Sequence, residues 1–176
     1  AARQAVAACF SSSGQLCVSI ERIYVHEDIA AEFLVEFAEA TSRVLLGSGL
    51  DYTVDVGSLT SQAQLDRITE HVRDAVEKGA IVVAGGRARA DLGPLFYEPT
   101  ILAGVTPDME SFAGETFGPV VAVHVVRSVE EAINAANDSE YGLNASVLSG
   151  SVARAAAVAR RLDAGSVNIN EGYRAT

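Results

Sequence analysis

The chain has 176 residues, of which 49% are hydrophobic and 20% are charged, so it is long and apolar enough to fold around a sizeable core. Its formal net charge of −10 disfavours contact with nucleic acid or with an anionic membrane. The two cysteines, Cys9 and Cys17, come without a CxxC motif or paired histidines, so they predict neither a disulfide framework nor a metal site. No apolar run reaches the roughly 18 residues of a membrane span. We therefore expect a cytoplasmic protein in a reducing compartment, with no nucleic-acid, membrane or metal partner.

The first half of the chain predicts alternating helices and strands. Its helices show apolar residues at helical spacing, and its strands are short, β-branched runs. Glycine-containing segments end the helices. The predicted elements are a helix over 2–9, a strand over 20–26, a helix from 27 to about 45, a helix that opens at 60 and closes at 78–79, and a strand over 80–84.

The second half continues the alternation. The run 120–126 is apolar at every position but one, which predicts a strand buried on both faces. Pro99 restricts the strand around it to a sheet edge or a strand start, and Ser128 predicts a helix cap. Further strands are predicted over 97–102, 145–148 and 166–170, and helices over 128–137 and 151–162. This order predicts an α/β fold of three layers, with a mainly parallel sheet flanked by helices.

A loop of small residues, Ser11-Ser-Ser-Gly14, leads to Cys17 between two patterned segments. Loops on a rigid scaffold often carry chemistry, and a thiolate beside backbone N–H groups is a plausible nucleophile with its own oxyanion hole. The alternative is that Cys17 is a small buried hydrophobe, as many unpaired cysteines are. Cys9 stands in an alanine-rich helix and is predicted to be core.

Glu115-Thr-Phe-Gly-Pro119 directly precedes the apolar strand at 120–126. A carboxylate at Glu115 can accept hydrogen bonds from sugar hydroxyls, and the ring of Phe117 can pack on a flat ligand. The alternative is a solvated acid and a core phenylalanine. The three histidines, at positions 26, 71 and 124, have no evident partner and are predicted to be non-catalytic.

Four motifs together resemble the aldehyde dehydrogenase superfamily, in the order that the family has them. They are Gly14-Gln15-Leu16-Cys17 with Arg22, Glu115-Thr-Phe-Gly-Pro119, Asn137-Asp-x-x-Tyr-Gly-Leu143 and Gly165-x-Val-x-Ile-Asn170. Each motif is weak alone, but the resemblance covers essentially all 176 residues.

The resemblance implies a role for each motif. Cys17 would attack the aldehyde carbonyl to give a thiohemiacetal, hydride would pass to NAD or NADP, and water would release the acid from a thioester. Glu115 would bind the ribose on the nicotinamide side, and Phe117 would pack near the nicotinamide. Asn170 would lie on the wall of the aldehyde pocket.

The resemblance also implies that residues 1–176 are a fragment, the catalytic (thiol) domain alone. The family's NAD(P)-binding domain, its general-base glutamate, its upstream oxyanion asparagine and its oligomerisation segment would lie outside this chain. We therefore expect a homo-oligomer in the full-length protein, and little or no activity from the isolated chain.

For the substrate, Val167-Asn-Ile-Asn-Glu-Gly172 with Gln15-Leu-Cys-Val18 is similar to the succinate-semialdehyde dehydrogenase branch of the family. Members of that branch often carry an arginine six residues before the cysteine, where this chain has Ser11. The family's pocket serine falls at Ala175, and Arg174 is a possible substitute as the partner of a distal carboxylate. The predicted substrate pocket therefore comprises Ser11, Asn170 and Arg174.

Three other interpretations stay open at this point. A cysteine acyltransferase or hydrolase would need a histidine beside Cys17. A CoA-acylating aldehyde dehydrogenase would share the thiol chemistry. In a non-catalytic interaction domain the same motifs would be scaffold. If the protein is an aldehyde dehydrogenase, the choice between NAD and NADP is open.

Overall fold

The chain is described here by a computed structural model that covers residues 1–49 and 53–172. The helices are α1 (Ala2–Phe10), α2 (Glu27–Ser42), α3 (Gln62–Glu77), α4 (Glu110–Ala113), α5 (Val129–Asn137) and α6 (Val152–Ala159). The strands are β1 (Arg22–His26), β2 (Ile81–Ala84), β3 (Thr100–Ala103), β4 (Val120–Val126), β5 (Asn144–Val147) and β6 (Ser166–Ile169).

Four strands form a mixed sheet in the order β1-β4-β3-β2. Strands β1 and β3 both run parallel to β4, whereas β2 is antiparallel to β3. Strands β5 and β6 form a second, parallel pair. The predicted α/β fold with a mainly parallel sheet is confirmed, although the sequence pattern did not reveal that the last two strands pair separately.

Two apolar clusters cover the two faces of the four-stranded sheet. Because side chains alternate along a strand, Val120 and Ala122 of β4 join the cluster that contains residues of α3. Val121 and Val123 join the cluster formed with α1 and α2. The three predicted layers follow from this alternation. Strand β4 is buried on both faces as far as Val123, whereas Val125 is 53% exposed.

The element boundaries follow local chemistry. Strand β3 begins at Thr100 because Pro99 has no N–H to donate to the ladder. Helix α2 ends at Ser42 and α6 at Ala159, each earlier than predicted. The Ser128 cap is confirmed, since its hydroxyl accepts a hydrogen bond from the N–H of Glu131.

The topology brings the two main motifs to the same end of two neighbouring parallel strands. The cysteine loop immediately precedes β1, and the Glu115–Pro119 segment immediately precedes β4. These strands are parallel neighbours, with Arg22 opposite Ala122. Both segments therefore enter the sheet from the same side, although they are about a hundred residues apart in sequence.

Candidate active site

The loop before Cys17 has an unusual backbone. Helix α1 ends at Phe10 and is followed by a tight turn in which Ser12, Ser13 and Gly14 have φ values of 52°, 59° and 67°. The left-handed region is unfavourable for residues with a Cβ, at roughly 1–3 kcal/mol each. The hydroxyl of Ser13 donates a hydrogen bond to the carbonyl of Gly57 at 2.8 Å, which helps to hold the turn.

Three long-range hydrogen bonds fix the segment around Cys17. The Gln15 side-chain oxygen accepts from the N–H of Thr60 at 2.9 Å. The N–H of Ile20 donates to Ala8 of α1 at 3.0 Å, and the Asn144 side chain donates to the carbonyl of Val18 at 3.2 Å. The cysteine is therefore displayed on a loop that is anchored on both sides.

The two cysteines have opposite environments. Cys17 is exposed, so the alternative that it is a buried hydrophobe is wrong. Cys9 is 1% exposed and belongs to the core, as predicted. Burial raises the pKa of the Cys9 thiol far above its ordinary value, and the nearby Glu21 carboxylate adds to that effect. Exposure therefore favours Cys17 as the reactive thiol.

The cysteine loop and the Glu115–Pro119 segment touch directly. A Cβ placed on Gly14 would lie 2.0 Å from the carbonyl oxygen of Gly118, so only glycine permits this approach. The Glu21 carboxylate makes a second link, because its two oxygens accept hydrogen bonds from the N–H groups of Thr116 and Phe117, both at 2.8 Å. The structure thus brings together the two segments that carry Cys17, Glu115 and Phe117.

Helix α3 holds the other side of the same turn. The Gln64 side-chain amide donates to the carbonyls of Thr116 and Phe117, at 2.8 and 2.6 Å. The Arg67 guanidinium donates to the carbonyl of Glu115. Because positions 64 and 67 are three residues apart, both side chains lie on one face of α3 and reach the same turn. It leaves Glu115 and Phe117 partly buried.

His71 lies one turn further along the same face. Its Nδ1 is 3.0 Å from the hydroxyl of Thr116, and the two groups share a hydrogen bond. Burial lowers the pKa of His71, with nearby Arg67 acting in the same direction. His71 therefore has a partner that the sequence did not reveal, and this partner belongs to the turn and not to the cysteine loop.

The other two histidines also have structural surroundings. His26 accepts a hydrogen bond from the N–H of Asp28 and caps α2. The His124 ring stacks on Tyr24 at 5.3 Å and meets the edge of Phe112 at 5.6 Å between ring centroids. Burial lowers the pKa of His124 to about 4. The described partners of all three histidines thus offer no support for a cysteine–histidine hydrolase.

Burial raises the pKa of the Glu21 carboxyl above its usual value. The two backbone amides oppose this shift by stabilising the charged form, the negative charge of Glu115 reinforces it, and the positive charge of Arg67 opposes it. Specific hydrogen bonds therefore hold the Glu21 carboxylate in surroundings that disfavour its negative charge.

Asn170 directly follows β6 and has a left-handed φ of 56°. Its carbonyl accepts from the Gln4 side chain of α1 at 2.5 Å, and its side-chain oxygen accepts from the N–H of Ser149 at 2.8 Å. A Cβ on Gly172 would lie 2.8 Å from that of Ala8, so this segment lies close against α1. The predicted pocket-wall residue therefore packs on the helix that leads to the cysteine loop.

Ser11 and Arg174 have different outcomes. The Ser11 hydroxyl donates to the carbonyl of Ala7 at 2.7 Å, at the C-terminal end of α1. Ser11 also lines a cleft of about 430 Å³ whose charged residues are Arg3, Arg43 and Asp55. Arg174 lies outside the described residues. The assignment of both residues to a substrate pocket stays a prediction.

The residues that organise the site were not found in the sequence. Glu21, Gln64 and Arg67 contact the Glu115–Phe117 turn across large sequence separations. The polar stripe at 64, 67 and 71 was visible at helical spacing, yet a polar stripe on an amphipathic helix is ordinarily its solvated face. Within residues 1–49 and 53–172, no helix is long and apolar enough to cross a bilayer, and no group of three His, Cys, Asp or Glu side chains could hold a metal ion.

Comparison with known proteins gives a consistent result. The sequence profile of the aldehyde dehydrogenase family matches residues 1–176. A protein of Mycobacterium bovis named "Putative succinate-semialdehyde dehydrogenase (NADP(+)) 2" is 56% identical over 172 residues, which is 98% of this chain and 33% of that protein. The chain thus spans about a third of the length of the curated relatives it matches.

Two solved structures share the fold. The succinate-semialdehyde dehydrogenase of Burkholderia pseudomallei is 38% identical with a TM-score of 0.92, over 98% of this chain and 36% of that one. The betaine aldehyde dehydrogenase of Staphylococcus aureus, solved in complex with NAD+, is 33% identical with a TM-score of 0.92, over 98% of this chain and 35% of that one. The chain belongs to the aldehyde dehydrogenase family.

Proposed function

We propose that this chain is the catalytic segment of an NAD(P)-dependent aldehyde dehydrogenase that uses Cys17 as its nucleophile. The observation that carries the proposal is the direct contact between the cysteine loop and the Glu115–Pro119 segment, at Gly14 and Gly118 and again through Glu21. Membership of the family supports the reaction class.

The chemistry at Cys17 is thiol addition to an aldehyde. The thiolate attacks the carbonyl carbon, a C–S bond forms, and the carbonyl π electrons move to the oxygen to give a thiohemiacetal. Backbone N–H groups of the loop, with that of Cys17 first among them, are the donors available to this oxyanion. Oxidation leaves a thioester on Cys17, and water cleaves its C–S bond to release the carboxylic acid.

The cofactor contacts assigned to this chain are Glu115 and Phe117. A carboxylate and an aromatic ring on one fixed turn are suited to ribose hydroxyls and to a flat ring, so the residues present fit NAD(P)+. When bound, NAD(P)+ accepts the hydride that the thiohemiacetal loses. The relatives named after NADP(+) favour that cofactor.

The proposed substrate is succinate semialdehyde, as the names of the relatives suggest. Asn170 then lines the aldehyde pocket, and Arg174 binds the distal carboxylate through its planar pair of donors. Ser11 is the third pocket residue. In the full-length protein, Arg174→Ala should raise KM for succinate semialdehyde far more than KM for an uncharged aldehyde. Equal effects on both substrates would remove Arg174 from this role.

The remaining proposals concern the whole protein. The 176-residue chain supplies the thiol, and the NAD(P)-binding, general-base and oligomerisation segments belong to a longer cytoplasmic homo-oligomer. General base catalysis contributes roughly 10²–10⁴ in rate. The isolated chain should therefore produce little or no NAD(P)H from an aldehyde. Robust turnover by the isolated chain would refute the proposal that activity needs those other segments.

The proposed nucleophile is tested by a pair of cysteine variants in the full-length protein. Cys17→Ala should abolish aldehyde-dependent NAD(P)H formation, whereas Cys9→Ala should retain it, because Cys9 is buried in the core. Iodoacetamide should label Cys17 before Cys9. Retained activity in Cys17→Ala would refute the proposal.

A further inference from the structure

Glu21 links the cysteine segment to the turn at Glu115–Phe117. It stands between Cys17 and β1, and its carboxylate is partly buried. Both carboxylate oxygens are used: one accepts from the N–H of Thr116 and the other from the N–H of Phe117. Two consecutive amides therefore point at a single carboxylate from the opposite motif.

The backbone that Glu21 holds is strained. Phe117 has a φ of 53°, which is unfavourable for a residue with a large side chain. On the other side of the turn, the Gln64 amide takes the carbonyls of Thr116 and Phe117. Glu21 therefore bonds the N–H groups of the turn, and Gln64 bonds its carbonyls. A strained backbone conformation persists when the surrounding structure fixes it in this way.

We propose that Glu21 is a positioning residue that holds the Glu115–Phe117 turn in the conformation that meets the cofactor, and that thereby couples the cofactor contacts to the cysteine loop. This inference rests on the proposed function, because it assigns Glu115 and Phe117 to NAD(P)+. It goes further in assigning a role to Glu21, a residue that the proposed function leaves without one.

Simple packing does not account for a carboxylate at this position. Burial and the negative charge of Glu115 both raise the pKa of Glu21, so the charged form is disfavoured by its surroundings. The compensation is the pair of charge-assisted hydrogen bonds to Thr116 and Phe117. An isosteric glutamine keeps the shape, but it replaces one acceptor with an NH₂ group that faces an N–H donor.

The test uses three variants of the full-length protein: Glu21→Gln, Glu21→Asp, and Glu32→Gln as the charge-matched control, since Glu32 is exposed on α2. The first readout is hydrogen–deuterium exchange in the peptide that contains Thr116 and Phe117. The second is the dissociation constant for NADPH, measured by its fluorescence. The third compares KM for the cofactor with KM for the aldehyde.

Glu21→Gln should speed exchange in the peptide that contains Thr116 and Phe117 and raise the NADPH dissociation constant, each about tenfold, because the amide that faces the new NH₂ group loses its hydrogen bond to a charged acceptor. KM for the aldehyde should rise less than KM for the cofactor, because both hydrogen bonds of the Glu21 carboxylate go to the turn that carries the proposed cofactor contacts. Glu21→Asp keeps both acceptors, so it should recover part of the loss. Glu32→Gln should match the wild type.

Unchanged amide exchange in Glu21→Gln would overturn the inference, and so would faster exchange with unchanged NADPH affinity. Equal increases in both KM values would indicate general damage and would also overturn it. A wild type that binds no NADPH would refute the proposed function and the cofactor half of the inference together. The exchange comparison would then still decide whether Glu21 holds the turn.

Discussion

The contact between Gly14 and Gly118 gives the sharpest stability prediction. An alanine at Gly14 would cost free energy in two ways, through its left-handed backbone and through a steric clash. Two other glycines allow these two costs to be measured separately. Gly14 combines a φ of 67° with a space in which a Cβ would lie 2.0 Å from the Gly118 oxygen. Gly104 has a similar φ of 72°, yet a Cβ there would meet nothing within 4 Å. Gly57 has neither feature, since its φ is not in the left-handed region and its surroundings are open.

The expected losses follow from these geometries. Gly104→Ala should lower the free energy of unfolding by roughly 1–2 kcal/mol, which is the left-handed penalty for a residue with a Cβ. Gly14→Ala should lose that amount and a further 1–3 kcal/mol or so for overpacking. Its Cβ must gain about 1 Å to reach the 3.0 Å below which Cβ contacts essentially never occur. Gly57→Ala should change the free energy of unfolding by less than about 1 kcal/mol.

Urea unfolding followed by circular dichroism measures all three variants against the wild type. The difference between Gly14→Ala and Gly104→Ala isolates the steric contact between the two motifs. If Gly14→Ala is no less stable than Gly104→Ala, then the cysteine loop does not approach Gly118 as closely as described, and the two segments do not form one site.

Three further predictions concern single residues. Burial lowers the pKa of His124 to about 4, against an ordinary 6.5, so the folded protein binds this proton less readily than the unfolded chain does. The free energy of unfolding should therefore fall as pH drops from 6.5 to about 4. His124→Phe should flatten this pH dependence in urea unfolding. Ser128→Ala removes the cap of α5 and should cost about 1 kcal/mol in the same assay, and an unchanged midpoint would contradict the cap. Gln15→Ala frees the exposed N–H of Thr60, and should cost about 0.5–1.5 kcal/mol in unfolding free energy while altering the rate at which iodoacetamide labels Cys17.

The fold was predictable because its signals are local. Apolar runs such as 120–126 and capping residues such as Ser128 depend on neighbours in sequence, and both are confirmed. The separate pairing of β5 with β6 was not predictable, since strand pairing is a choice among distant partners. The same limit applies to the exposed position of Cys17, which depends on anchors from α1 and from Asn144.

The sequence indicated the two segments that the structure brings together at the candidate site, but not the residues that join them. The motifs around Cys17 and Glu115 stood out through their small or unusual residues. Glu21 did not, because a glutamate before a strand is ordinary in sequence, and its partners Thr116 and Phe117 lie 95 and 96 positions away. The hydrogen bonds that shape the turn therefore become visible only in the folded chain.

In the proposed mechanism, Cys17 carries the acyl group during aldehyde oxidation. The most direct measurement is rapid acid quenching of the full-length protein during turnover with succinate semialdehyde and NADP+, followed by peptide mapping by mass spectrometry. A succinyl thioester should appear on the peptide that contains Cys17 and be absent from the one that contains Cys9. Turnover without any acyl adduct on Cys17, or with the adduct on Cys9, would contradict the account.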